Sequence, residues 1–292
     1  MTATVPRPTR AASSATRATA RPARRGPLRW LREHIVPIAA GLAFVYMLLP
    51  NVIVVLFSFN DPAGRYNYTW QEFSVDAWLN PCGPTGLCEA LGLSLRIGLL
   101  ATLLSTVLGT LAAFAMARHR YRGRATTNVL VFLPMATPEV VMGSSLLTLF
   151  VSTQIPLGAT TIFIAHVMFS ISFVIVTVKA RLAGLDPRLE QAAMDLYANE
   201  RQTFLRVTFP LVAPGIIAAS LLAFALSFDD YIISNFTASA SSVTFPMYVW
   251  GTASRGTPVQ INVVGTVMFL LALAAVGIGQ LVGRRNRRRA AR

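Results

Sequence analysis

The sequence predicts an all-α, polytopic membrane protein with six transmembrane helices, and three observations carry that prediction. Hydrophobic residues are 54% of the 292-residue chain and charged residues only 13%, with a mean hydropathy of +0.55; soluble domains carry about 25% charge. Six apolar stretches are each long enough to cross a hydrocarbon core, which takes about 20 helical residues for about 30 Å. The cations are sorted by these stretches, 23 of 26 falling on one side.

Residues 1–34 are rich in Arg, Ala, Thr, Ser and Pro, with no acid before Glu33. Such a composition buries no core, so a disordered basic cytoplasmic tail in contact with anionic lipid is expected. A transit peptide is the competing reading, being likewise Arg- and Ser-rich and poor in acids. The transmembrane domain, residues 35–283, opens with Ile35–Phe59, too long for a signal-peptide core and without an evident small-residue cleavage site, hence an uncleaved anchor. The remaining spans are Leu91–Ala117, Val129–Val151, Ile155–Val178, Val212–Ile233 and Ile261–Val282. Helices are expected because lipid-facing backbone must satisfy its own hydrogen bonds, and a barrel would show ten-residue alternating segments. Residues 284–292 form a second basic tail.

Eight arginines precede the first span, Arg118, Arg120, Arg122 and Arg124 separate the second from the third, and Lys179, Arg181, Arg188, Arg201 and Arg206 separate the fourth from the fifth. Six more follow the sixth span, whereas the opposite side holds only Arg65 and Arg255, and Arg96 lies inside the second span. Positive residues stay in the cytoplasm, which puts both termini on the cytoplasmic side, and an even number of spans agrees in placing them on the same side. A net charge of +14 would suggest nucleic acid in a soluble protein; sorted this way, it marks a membrane face and no nucleic acid is expected. Cys82 and Cys88 fall in the first extracytoplasmic loop, in Pro-Cys-Gly-Pro-Thr-Gly-Leu-Cys. A small disulfide-closed loop is expected there, with two free thiols as the alternative.

An enzyme has little support. There is no phosphate-binding Gly-x-x-x-x-Gly-Lys-Ser/Thr loop, and the single lysine, Lys179, precedes Ala180. His34, His119 and His166 are far apart and without cysteine or carboxylate at ligand spacing, so neither metal nor cofactor is expected. His166, inside the fourth span, reads either as an interhelical hydrogen bond, worth about 1 kcal/mol, or as part of a solute pathway.

The cytoplasmic loop 179–210 is the most informative stretch. Leu189-Glu190-Gln191-Ala192-Ala193-Met194-Asp195-Leu196 reads as a short amphipathic helix with Ala192, Ala193 and Leu196 on one side and Glu190 and Asp195 elsewhere. A second helix is expected over Arg201–Val207, leading to Pro210 and Pro214. Small residues on a helix face permit close docking on another surface. From Gln191-Ala192-Ala193 to Val207-Thr208-Phe209-Pro210 the loop resembles the EAA loop of ABC importer permeases, patterned Glu-Ala-Ala, three residues, Gly, nine residues, Ile-x-Leu-Pro. Gln191 replaces the usual Glu, with Glu190 one place earlier, and Tyr197 replaces the glycine that allows a positive-φ turn, so a strained or altered turn is expected.

The resemblance covers roughly Leu91–Val282 and narrows to the spermidine/putrescine subgroup through Val174–Asp186, Leu226-Ser227-Phe228-Asp229-Asp230-Tyr231 and Pro138-Glu139-Val140-Val141-Met142. It implies the type I ABC importer permease (MetI-like) fold and no enzymatic activity of the chain's own. It implies a coupling role for Glu190, Gln191, Ala192, Ala193, Asp195, Tyr197 and Pro210. Partners would be a second homologous permease, two copies of an ATPase and an extracytoplasmic solute-binding protein.

Three acids lie within apolar spans, where each costs about 3 kcal/mol at the bilayer centre. Asp229 and Asp230 are adjacent near the outer end of the fifth span; a cap at that helix end would oppose the macrodipole. Pairing with Arg96, Arg255 or another subunit competes with attraction of a cationic solute. Glu139 follows Pro134 and Pro138, where a broken helix would free backbone carbonyls beside a carboxylate. Tyr231, with Phe228, Tyr248 and Trp250, adds aromatic faces for cation–π contact or a membrane-interface belt. The pathway expected is thus Asp229, Asp230, Glu139, Tyr231 and His166. A permease for iron, thiamine or a phosphonate, or a secondary transporter, is the alternative; an anionic or neutral solute would leave the acids unexplained.

Overall fold

The computed structural model describes residues 27–119 and 121–290, so the predicted tail up to residue 26 and the last two residues lie outside it. Two compact units divide at Val52 and Ile53. The first consists, in its described part, of most of helix α1 (Pro27–Phe57), whose apolar stretch His34–Phe57 suffices to cross a membrane. Phe44, Tyr46 and Met47 on this helix are exposed, as suits a lipid-facing surface.

The second unit begins with a small hairpin, β1 (Asn60–Asp61) antiparallel to β2 (Glu72–Phe73), with Asn60 opposite Phe73. Its turn is held from inside: buried Asn60 donates to Asn67 Oδ1 at 2.6 Å, and Phe59 stacks on Phe73 and Trp78. After α2 (Asp76–Leu79) the chain passes Cys82 and Cys88, paired as a disulfide with Cα atoms 5.4 Å apart. The pair closes the turn from which α3 (Leu87–Arg118) emerges.

Three long helices make the core: α3, α6 (Ala159–Ala183) and α9 (Phe209–Asp229). Small residues explain why they meet. Ala101, Ser105, Gly109 and Ala113 recur every four residues on the buried face of α3, and a Cβ at Gly109 would fall 2.7 Å from Val174 Cγ1 of α6. Without hydrophobic exclusion between helices in lipid, such close backbone approach supplies the packing. Ala113, Met116, Val174, Val178, Val212 and Ala219 form the buried centre.

The third predicted span is two helices, α4 (Arg124–Ala136) and α5 (Glu139–Ser152), meeting at 104°. Pro138 disfavours α-geometry at Thr137, which is extended. Among the described residues five helices are long and apolar enough to cross a membrane, or six when the bent pair is taken as one span.

The fifth span does not run to Ile233. Helix α9 ends at Asp229, and a separate turn, α10 (Ile232–Thr237), packs against α5, where Gly143 lies under the Phe236 ring. Helix α11 (Phe245–Ala253) is too short for a span and carried no sequence signal. Helix α12 (Val259–Ala290) continues through the stretch read as the second tail.

Before α9 lie α7 (Arg188–Asp195), α8 (Glu200–Thr203) and a π-helical turn, Phe204–Thr208. The expected second helix over Arg201–Val207 is thus divided between an α- and a π-turn, and residues 179–183 of the predicted loop belong to α6. The root of α9 is gripped from α6: Arg181 donates from Nε and Nη2 to the Leu211 carbonyl at 3.0 and 2.8 Å. Its stem lies flat against Gly215, where any Cβ would come within 2.6 Å.

Candidate functional site

Two regions gather the residues singled out from the sequence. The first is the segment α7–α8. Asn199 begins α8 with a reciprocal cap, its side chain accepting from the Gln202 amide at 2.8 Å while Gln202 Oε1 accepts from the Asn199 amide at 3.1 Å. Tyr197, between the two helices, takes the left-handed conformation, φ 62°, so the positive-φ turn is kept although a tyrosine must make it, at a cost of about 1–2 kcal/mol. The Ala198 amide closes the turn on the Ala193 carbonyl at 3.1 Å.

The faces of α7 differ from the expectation. Glu190 and Ala193, three residues apart and so on one face, are the partly covered positions, while Gln191, Ala192, Met194 and Asp195 are exposed. Ala192 and Ala193 therefore differ in exposure, successive helical positions being about 100° apart. What projects furthest is the turn, with Leu196 81% and Tyr197 98% exposed. Pro210 starts α9 and is exposed. Beneath α7 a cleft of about 390 Å³ is lined by Arg118, Leu185, Asp186, Glu190, Val207 and Thr208.

The second region is the break between α9 and α10. Asp230 lies past the end of α9 but ahead of α10, and its carboxylate accepts from the Ile233 and Ser234 amides at 3.2 and 2.7 Å. The cap that looked unfavourable on one long helix is favourable at the start of the next. Its side-chain partner is neither Arg96 nor Arg255 but His166, whose Nε2 lies 3.2 Å from Asp230 Oδ2. His166 also meets Ser227 through Nδ1 at 2.7 Å and Ser234 through Nε2 at 3.0 Å. The side chains of His166 and Asp230 are 2% and 5% exposed. Both are consumed in joining α6, α9 and α10, which removes them from direct contact with a solute in this conformation.

Asp229, by contrast, is exposed at the end of α9. Two residues further on, Tyr231 has its ring 5.2 Å from that of Trp250. Glu139 is also exposed, as the first residue of α5 at the bend. Among the described residues no three His, Cys, Asp or Glu gather as a metal site. Sequence reading missed Arg118, Thr208, Ser227 and Ser234. In sequence Arg118 is one of four closely spaced arginines with nothing to single it out, and hydroxyls in apolar runs carry no signal until their neighbours are known.

Residues 105–288 match the family described as binding-protein-dependent transport system inner membrane component. The spermidine/putrescine transport system permease protein PotC of Haemophilus influenzae is 34% identical over 245 residues, 84% of this chain and 95% of that one. The putrescine transport system permease protein PotI of Escherichia coli is 35% identical over 244 residues, 81% of this chain and 85% of that one. Among solved structures, a bacterial alginate ABC transporter in complex with alginate pentasaccharide-bound periplasmic protein superposes with a TM-score of 0.62 at 15% identity, covering 89% of this chain and 97% of that one. The MetNI methionine ABC transporter gives 0.55 at 12% identity, covering 66% and 92%. These likenesses bear out the fold, and with helices enough for several membrane crossings, the chain belongs to the family of multi-pass inner-membrane permease components of binding-protein-dependent transport systems.

Proposed function

We propose that this chain is one of two permease subunits of an ATP-driven importer of spermidine or putrescine, with both termini in the cytoplasm. Two copies of a separate ATPase bind at the cytoplasmic side and an extracytoplasmic binding protein delivers the solute. The carrying observation is the turn after α7, which holds Leu196 and Tyr197 out in water. An exposed apolar knob on a rigid double-capped turn is the form of a protein contact, and a monomer gains nothing from it.

ATP binding closes the ATPase pair, and α7 carries that displacement into α9 through residues 200–210. The bundle then alternates between outward and inward access. Exposed Asp229 and Glu139 supply negative charge and the paired Tyr231 and Trp250 rings supply aromatic faces, which favour a di- or triammonium solute. The solute named for both permease relatives has that chemistry. Reconstitution with an ATPase, a second permease and a solute-binding protein of the same transport system tests the reading: ATP-dependent uptake of labelled spermidine or putrescine is expected. ATP-dependent uptake of another solute instead would overturn the polyamine assignment, and ATP-independent uptake the importer class.

A further inference from the structure

The side chain of Glu190 does something the docking of α7 does not require. One oxygen, Oε1, accepts from Arg118 Nη2, the last residue of α3, and from Thr208 Oγ1 at 2.6 Å, the last residue of the π-turn. Arg118 Nη2 also lies 3.4 Å from that hydroxyl. Three segments 72, 18 and 90 residues apart therefore meet on one carboxylate. Thr208 is 1% exposed, so its hydroxyl has no water to fall back on. Just inside this junction the Phe114 ring meets Phe204 edge-on at 5.4 Å, and Phe204 in turn faces Phe209.

The position matters because of what lies beside it. A π-turn is a local widening of the helix with poorer hydrogen-bond geometry, a natural place to flex. Here it separates α8 from α9. A push on α7 transmitted only along the chain would be absorbed there. The carboxylate bridges across it, tying the first turn of α7 to the far end of the π-turn and to α3. Leu189, Met194, Leu196 and Tyr197 meanwhile stay exposed.

We propose that Glu190 is a positioning residue, a latch with Arg118 and Thr208 that makes α7 and the adjoining ends of α3 and α9 move as one body, so that displacement of α7 reaches two core helices at once. This rests on the importer reading above and concerns how force passes through the permease, not what is carried. Glu190 is thereby assigned an inward role, leaving the outer contact to the residues around the turn.

The test uses the reconstituted complex and reads solute taken up per ATP hydrolysed. Glu190→Ala and Arg118→Met are each expected to lower that ratio about fivefold, and the exchanged pair Glu190→Arg with Arg118→Glu to recover most of it, as a coupling acting through one contact requires. Thr208→Val, which keeps shape and removes the hydroxyl, lowers it by less. Unchanged ratios in both single variants would overturn the latch. A second reading needs no transport: hydrogen exchange on the full-length detergent-purified chain should show α7 amides exchanging faster in Glu190→Ala, and in Glu190→Gln should the alanine variant fail to fold. Unaltered exchange in the variant measured overturns the proposal even if the wild type proves to carry a different solute.

Discussion

The break between α9 and α10 and the turn after α7 treat their side chains in opposite ways. At the break the polar groups are internal: His166, Asp230, Ser227 and Ser234 satisfy one another out of solvent. At the turn the apolar groups are external, Leu196 and Tyr197 having nothing of this chain over them. A buried polar cluster that is fully partnered is finished within one polypeptide. An exposed apolar knob is finished only by a second one. The difference separates what this subunit does alone from what it does in an assembly.

The largest expected effect is at the finished region. His166→Leu deprives Asp230 and two buried serine hydroxyls of their imidazole partner and should cost about 3 kcal/mol, seen as a lower melting temperature of the purified chain. An unchanged temperature would mean that the cluster is not a structural tie. Next, Leu196→Asp should weaken recovery of the ATPase subunit in the purified complex by about 2 kcal/mol in binding, with the isolated chain melting within about 0.5 kcal/mol of wild type. Full recovery would remove the docking role of the turn. Asp229→Asn separates the adjacent acids: it should reduce polyamine uptake about fivefold, near 1 kcal/mol, without lowering the melting temperature. A stability loss like that of His166→Leu would show that Asp229 also belongs to the tie. The smallest effect is expected of Tyr197→Gly, which relieves the left-handed tyrosine and should stabilise the isolated chain by about 0.5 to 1 kcal/mol while weakening assembly. A destabilised chain would mean that the tyrosine side chain contributes to folding.

Composition and run length were sufficient for the long helices, because lipid imposes a minimum apolar length that residues such as Leu91–Ala117 advertise directly. Pro134 and Pro138 likewise announced the bend between α4 and α5, since proline acts on its own backbone. The end of α9 had no such mark. Phe228 through Ile233 contains neither Gly nor Pro, and the helix stops because Asp230 turns to cap α10 and meet His166, 64 positions away. Long-range polar partnerships of this kind have no local spacing. The same holds for Glu190, legible as part of a short amphipathic helix but not as a residue turned inward on Arg118 and Thr208.

The grip of Arg181 on α9 bears on how this strongly basic chain could be re-engineered. Arg118, Lys179 and Arg181 each hold a defined acceptor, respectively Glu190, Asn128 Oδ1 at 2.6 Å and the Leu211 carbonyl. They act as internal fasteners. Neutralising surface arginines to lower the +14 charge, for instance to improve behaviour on ion-exchange media, should spare these three. Gly215 sets a further constraint on the same redesign, because any side chain there would push the arginine stem off the helix it holds.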